Sequence, residues 1–265
     1  MTTSTELPAD LQDALLAAAR APRLLVASDY DGTMSPIVSD PAAAFPNPIA
    51  VAALRDLGLL PDTSAALISG RPRAVLAQLS GLDGDVELVG SHGSEFAEGF
   101  VQEIDADRAS LLDRVVADLY RAAESEPGAT VEVKPAGATL HVRNVTDEER
   151  GDVLLDIVRM GSAQWPGVHP TEGKRVIELS VIDTDKGYAV DVLRERVGAD
   201  IAIFFGDDVT DEKAFRRLGS DDVGVKVGDG ETAANYRVAS VDQVAESLAL
   251  LLDERRAAIG SAQPR

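Results

Sequence analysis

The sequence predicts an α/β protein: a parallel sheet with helices on both faces, plus an inserted, smaller α+β domain. Three observations predict it. Short apolar runs alternate with helical stretches in both outer parts of the chain, as in successive βα units. The middle breaks that alternation with two strand-like runs in close succession, joined by Pro135-Ala136-Gly137. At 265 residues and 45% hydrophobic content, the chain has room for one large or two modest domains with a real core. Residues 1–107 and 180–265 then form a Rossmann-like core, and residues 108–179 form the insertion.

Taken in order, Leu11 to Arg20 is Ala-rich and reads as a leading helix. A strand at Leu24–Ser28 precedes a helix from Pro48 to Leu57, and a strand at Ala65–Ile68 precedes a helix from Pro72 to Leu79. Pro72 suits the first turn of its helix, where the missing N–H costs nothing. Val86–Val89 is a further apolar run, ending at Gly90. The insertion reads as helix (Arg108–Glu124), strand (Thr130–Lys134), strand (Ala138–Arg143), helix (Asp147–Met160) and strand (Arg175–Leu179). Glu126-Pro127-Gly128 supplies a turn, and Thr146-x-x-Glu149 has the form of a capping box for the second helix. The βα pattern then returns: helix Lys186–Val197, strand Ile201–Phe205, helix Asp211–Leu218, strand Val223–Val227, and a closing helix near Val241–Arg255. Gly260 to Arg265 read as a frayed tail.

Charge and composition remove several function classes. A formal net charge of −20 argues against nucleic acid, whose phosphates attract Lys and Arg, and against an anionic membrane surface. The chain has no cysteine, which excludes disulfides, thiolate metal sites and a cysteine nucleophile, and fits a reducing, cytoplasmic setting. Imidazole comes only from His92, His141 and His169, which are widely scattered. A bound metal is therefore expected to be hard and oxygen-ligated, with magnesium first. Met1 to Asp10 has no basic stretch followed by an apolar one, so no signal peptide is expected, and no run of 18 apolar residues exists to span a membrane.

Four polar clusters end apolar runs. In open α/β sheets ligands bind at the carboxyl ends of the strands, so these are the places to look for chemistry. Asp29-Tyr30-Asp31-Gly32-Thr33 follows the first strand. Two such carboxylates can hold a divalent cation while one attacks phosphorus and the other moves a proton. Ser69-Gly70-Arg71-Pro72 sets a hydroxyl beside the backbone N–H groups of a helix start, a place for an anion. Lys186, just after Asp183-Thr184-Asp185, stands at a helix N-terminus against the macrodipole, which stabilisation of an anion would explain. Finally Gly206-Asp207-Asp208-Val209-Thr210-Asp211-Glu212 follows the most apolar strand of the chain. Acids in a first helical turn account for Asp211 and Glu212 but less well for Asp207 and Asp208. Taken singly, each cluster also has an ordinary structural reading as a turn, helix start or solvated charge. Their joint occurrence at successive strand ends favours one shared site.

With these residues in place, the chain resembles the haloacid-dehalogenase superfamily of phosphohydrolases through Asp29/Asp31, Ser69, Lys186 and Asp207/Asp211. Further motifs are similar to those of the trehalose-6-phosphate phosphatases. They are Asp-Tyr-Asp-Gly-Thr-x-Ser-Pro-Ile (29–37), Ser-Gly-Arg (69–71), Gly-Ser-His-Gly (90–93), Glu-Gly-Lys-x-x-x-Glu (172–178) and Gly-Asp-Asp-x-Thr-Asp-Glu-x-Ala-Phe (206–215), with Lys134, His141 and Arg143 between them. The resemblance runs from about residue 22 to 250. It implies that Asp29 is the nucleophile, Asp31 the general acid/base, and Ser69 and Lys186 the holders of the phosphoryl oxygens. It implies magnesium bound by Asp29, the Asp31 carbonyl and Asp207, with Asp208 or Asp211 in support. The insertion becomes a cap that recognises a phosphorylated disaccharide through Lys134, His141, Arg143, Glu172, Lys174 and Glu178, while Arg71 and His92 bind substrate from the core. Two stretches depart from the resemblance: Ser180-Val181-Ile182-Asp183-Thr184 lacks an expected arginine and proline, and Val142 stands where an aromatic is common.

Three other readings compete. A sister phosphatase for glucosyl- or mannosyl-phosphoglycerate or sucrose phosphate would share the chemistry and differ in the cap. A sugar-nucleotide glycosyltransferase would use Asp-x-Asp as its metal motif, but leaves Lys186 and 206–212 without a role. A non-catalytic binding relative would be expected to have lost Asp29 or Asp31, and both are present.

Overall fold

The computed structural model describes residues 6–38 and 40–262. Residues 1–5, at the start of the expected leader-free stretch, and 263–265, at the end of the expected frayed tail, lie outside the described residues. The first elements are α1 (Ala9–Ala18), β1 (Leu24–Ser28), α2 (Pro48–Gly58), β2 (Thr63–Ile68), α3 (Arg73–Ser80), β3 (Val86–Val89) and β4 (Glu95–Phe96). Next come β5 (Gly99–Phe100), α4 (Ala106–Glu124), β6 (Thr130–Lys134), β7 (Gly137–His141), α5 (Glu148–Met160), β8 (His169–Gly173) and β9 (Val176–Ser180). The chain closes with α6 (Lys186–Val197), β10 (Ile201–Gly206), α7 (Glu212–Phe215), β11 (Val223–Val227), β12 (Tyr236–Val238) and α8 (Val241–Ala262). It divides into two compact units, one of Met1–Ala97 with Asp185–Arg265 and one of Glu98–Thr184.

The first unit is built on a six-stranded, all-parallel sheet in the order β12-β11-β10-β1-β2-β3. Every residue of β1 is buried, as a central parallel strand covered on both faces requires. Strand parity divides the packing. Leu24 and Val26 join Leu11 and Leu15 of α1, Leu54 and Leu57 of α2, and Val244, Leu248 and Leu251 of α8 in one core. On the other face α6 packs against β1, while Phe204 of β10 meets Phe215 of α7 edge to face at 5.6 Å. From β1 the chain winds outward through β2 and β3 on one side, and from β10 through β11 and β12 on the other. The carboxyl ends of β1 and β10 therefore border the topological switch point, where open α/β sheets bind ligands.

The second unit is an antiparallel sheet, β6-β7-β9-β8, covered on one face by α4 and α5. Ala138 and Leu140 of β7 and Ile177 and Leu179 of β9 face those helices, in one core with Val115, Leu119, Leu154 and Val158. The alternate residues Lys134, Thr139 and Glu178 therefore point to the opposite face.

Several local expectations change. The insertion begins at Glu98 rather than Arg108 and ends at Thr184 rather than 179. Part of the reason is the Val181 N–H, which bonds the Ala136 carbonyl at 2.9 Å and ties the following residues to this unit. Asp147, not Thr146, caps α5 by accepting from the Arg150 N–H at 3.2 Å. The edge strand β8, His-Pro-Thr-Glu-Gly, has no strand propensity of its own and exists through pairing with β9. Arg175 is left in the turn between them at φ +59° rather than in the strand. Helix α7 stops at Phe215 rather than Leu218, and α8 runs to Ala262, through Gly260 where the tail was expected to start.

Candidate active site

Asp29 leaves the end of β1 with its N–H bonded to the Phe205 carbonyl of β10 at 2.8 Å, so the two central strands place it at the switch point. Its carboxylate is 5% exposed and meets the Lys186 ammonium at 2.7 Å. Lys186, the first residue of α6, also contacts Asp211 Oδ1 at 2.7 Å. That double contact answers why a lysine stands at a helix N-terminus: it sits between two buried carboxylates. Burial opposes its charge, yet the carboxylates of Asp211 and Asp29 outweigh burial and hold the ammonium above its ordinary pKa.

Asp211 is saturated. Its Oδ2 accepts the N–H groups of both Asp207 and Asp208 at 2.9 Å, folding the 207–211 loop around the carboxylate. Two glycines make the crowding possible. A Cβ on Gly206 would lie 2.4 Å from the Asp211 carboxyl carbon, and one on Gly32 would lie 2.1 Å from Asp207 Oδ2, at φ +85°. Among the described residues, Asp29, Asp207 and Asp211 form a group in which one carboxylate oxygen from each lies within 4.8 Å of the others. Three carboxylates around one ammonium leave excess negative charge. Burial, then Asp211, raises the Asp29 carboxyl well above the usual range, and the same causes push Asp207 up to about 6. Asp207 Oδ1 is buried without a hydrogen-bond partner. An all-oxygen donor set with one orphaned buried oxygen fits a hard divalent cation. Asp208 contributes its N–H to the loop but its carboxylate is outside this group.

Asp31 also stays outside it. Its carboxylate forms a fork with Arg71, Nε to Oδ2 at 2.6 Å and Nη2 to Oδ1 at 2.7 Å. Arg71 comes from the loop after β2, where its N–H donates to Ser69 Oγ at 3.2 Å. Ser69 is buried at the end of that strand, and its carbonyl accepts the His92 N–H at 2.9 Å. Ser91 and His92 hold left-handed backbones, φ +49° and +54°, which sets the His92 ring against Gly70. The first three clusters thus meet the fourth within one unit.

The expected sugar residues are distributed unevenly in the second unit. Lys134 and Glu178 form a buried ion pair, and Glu178 also accepts from the Thr139 hydroxyl at 3.2 Å. His141, next on the same face, bonds Glu132 at 3.1 Å, and that contact holds the Glu132 carboxyl below its ordinary range. Arg143 and Lys174 are exposed. Glu172 lies opposite Ile177, hence on the helix side of the sheet, where Arg159 of α5 grips both its oxygens at 2.7 and 2.9 Å. It is thus parted from Lys134, Thr139 and Glu178. Val142 is fully buried in the unit's core, not on the polar face.

The family model for trehalose-phosphatase matches residues 27–245. The chain belongs to the trehalose-phosphatase family. Among curated relatives, it is 38% identical over 257 residues to the trehalose-phosphate phosphatase of Mycobacterium marinum, covering 89% of this chain and 65% of that one. To a probable trehalose-phosphate phosphatase of Oryza sativa it is 31% identical over 258 residues, covering 91% and 69%. The chain thus spans about two thirds of the length of these relatives. Among solved structures, the C-terminal domain of C. albicans trehalose-6-phosphate phosphatase superposes with a TM-score of 0.78 at 26% identity, covering 95% of this chain and 99% of that one. The family's α/β core with an inserted second unit is the architecture described above.

The structure also draws attention to two residues that sequence reasoning passed over. Lys226, buried in β11, bonds the Asp207 carbonyl and so braces the acid loop from below. The signal was a single cation inside the apolar run Val-Gly-Val-Lys-Val. Glu132 was hidden among alternating charges, and only its pairing with His141 marks it out. Among the described residues, no helix is long and apolar enough to cross a membrane.

Proposed function

We propose that this chain hydrolyses trehalose 6-phosphate to trehalose and phosphate through an aspartyl phosphate, with magnesium as cofactor. The observation that carries the chemistry is the placement of Asp29: a buried carboxylate at the switch point, with Lys186 on one side and Asp207 and Asp211 beside it. Family membership carries the sugar.

Lys186 engages Asp29 Oδ1 and so orients the carboxylate that attacks phosphorus. The new bond joins Asp29 to phosphorus as the bond to the sugar oxygen breaks, and Asp31 gives that oxygen a proton. Asp31 then takes a proton from water, the water oxygen attacks phosphorus, and the acyl-phosphate bond breaks to restore Asp29. Ser69 receives a phosphoryl oxygen, with the Lys186 ammonium adding positive charge. Asp29 and Asp207 would hold magnesium, together with the Asp31 carbonyl; when bound, it supplies the charge that lets an anionic ester approach anionic groups. Sugar recognition is assigned to the second unit, through the polar sheet face carrying Lys134, His141 and Glu178, together with the exposed Arg143 and Lys174. Glu172, held by Arg159, is left out of that set.

The test is phosphate release from a panel of phosphorylated sugars with magnesium. Trehalose 6-phosphate is expected to be the preferred substrate. Preference for sucrose phosphate or a phosphoglycerate glycoside would reassign the sugar, and no release from any ester would overturn the reading.

A further inference from the structure

We propose that Arg71 is the positioning residue for Asp31, fixing the carboxylate so that proton transfer to the departing sugar oxygen depends on the guanidinium. The inference rests on the phosphatase reading and deepens it. The fork is bidentate, at 2.6 and 2.7 Å, a geometry that sets the plane of the carboxylate as well as its place. The arginine is the better buried partner, 15% exposed against 33% for Asp31, so the carboxylate is the member of the pair more open to solvent. Arg71 is itself anchored. Its N–H bonds Ser69 Oγ, its carbonyl accepts the Ser91 N–H at 2.9 Å, and its guanidinium lies 5.8 Å from the centre of the buried Tyr30 ring.

The arrangement also keeps two kinds of carboxylate apart. Asp29, Asp207 and Asp211 gather in one group, and Asp31 is drawn out of it by Arg71. A cation at that group would attract any adjacent carboxylate, and a carboxylate bound to it is a poor proton carrier. Arg71 thereby reserves Asp31 for the proton. The rival role is direct binding of the ester phosphate, which suits arginine chemically. The two roles differ in kinetics. A phosphate ligand matters equally whatever alcohol leaves, whereas a positioner of the acid matters most when the leaving group needs a proton.

The experiment compares Arg71→Met and Arg71→Lys, each with Asp31 intact and in Asp31→Asn, in the full chain with magnesium. The parameter is kcat/KM, which stops at departure of the alcohol, for trehalose 6-phosphate and for p-nitrophenyl phosphate, whose phenolate leaves without a proton. Inhibition by orthophosphate measures the phosphate site, and magnesium affinity by calorimetry checks the acid group. Arg71→Met is expected to lower kcat/KM on the sugar ester by about 100-fold or more, the scale of a lost general acid. The loss on the aryl ester is expected to be at least ~10-fold smaller, with orthophosphate inhibition within ~3-fold. In Asp31→Asn the same change should add less than ~3-fold, because partners acting as a unit are not additive. Arg71→Lys should recover part of the rate, one donor replacing a fork. Equal loss on both esters with weakened orthophosphate inhibition would make Arg71 a phosphate ligand and overturn the inference, as would full additivity with Asp31→Asn or no loss at all. If the unaltered chain releases phosphate from neither ester, the functional reading itself fails first.

Discussion

Asp207 carries the sharpest consequence at the scale of single residues. Its carboxyl is pushed up to about 6, first by burial and then by Asp211, from an ordinary 3.8. The folded chain therefore binds a proton there more tightly than the unfolded chain, so its contribution favours folding below about pH 4 and declines as pH rises to 6. Above that the metal-free site is at its least stable, and magnesium bound as proposed would take the place of the proton. Magnesium is thus expected to raise Tm at pH 7.5 and to have little effect near pH 4.5. Asp207→Asn should be more stable than the parent in chelator at pH 7.5 and lose the magnesium response, both readable by thermal melts. An equal magnesium shift in parent and variant would remove Asp207 from the site. Asp29→Asn is a different experiment on a neighbouring carboxylate. The amide is a poor nucleophile, so turnover should vanish while circular dichroism and melting stay near the parent; retained phosphate release would refute the aspartyl phosphate. Asp29 and Asp31 were legible in the sequence because they follow a recognisable apolar run, and Lys186 because it stands at a helix N-terminus against the macrodipole. Saturation of Asp211 was not legible, since it depends on which N–H groups the 207–211 loop turns inward.

At the scale of elements, the site is made by strand ends brought closer than side chains ordinarily allow. Gly32→Ala puts a Cβ 2.1 Å from Asp207 Oδ2, and Gly206→Ala puts one 2.4 Å from the Asp211 carboxyl carbon. Both should displace the acid group, weaken magnesium binding measured by calorimetry, and destabilise the chain by about 1–3 kcal/mol. Gly81→Ala is the control: φ is +63° but nothing lies within 4 Å of the new Cβ. It should cost only the left-handed backbone, about 1 kcal/mol in urea titration, and keep its activity. Comparable magnesium binding in all three would show that the close approach does not matter. The strands of the parallel sheet that were legible were those with apolar residues on both faces, such as Leu24–Ser28 and Ile201–Phe205. Strands β8 and β12 were not, because short edge strands take their conformation from the neighbour they pair with.

For the whole molecule, the proposed function assigns the chemistry to the first unit and sugar recognition to the second. Lys174 is exposed in the second unit, so its removal does not disturb a core. Lys174→Ala should lower kcat/KM on trehalose 6-phosphate by about 10–100-fold, the scale of one lost charged hydrogen bond, and leave p-nitrophenyl phosphate within ~2-fold. Equal loss on both esters would place Lys174 in the phosphate chemistry instead. Glu178 is a poorer choice for this purpose, because its removal takes a carboxylate from the buried Lys134 ammonium and risks the fold of the unit. The sequence by itself determined the α/β class, the insertion, the absence of thiol chemistry and the strand ends that carry acids. Those follow from apolar periodicity and residue type, which are local properties of the chain. Only the tertiary structure decided that Asp31 turns to Arg71, that Asp207 and not Asp208 joins Asp29, and that Glu172 faces the helices with Arg159. Each of those choices is a competition among several nearby charges for one partner, and it is settled by register, loop closure and burial rather than by residue identity.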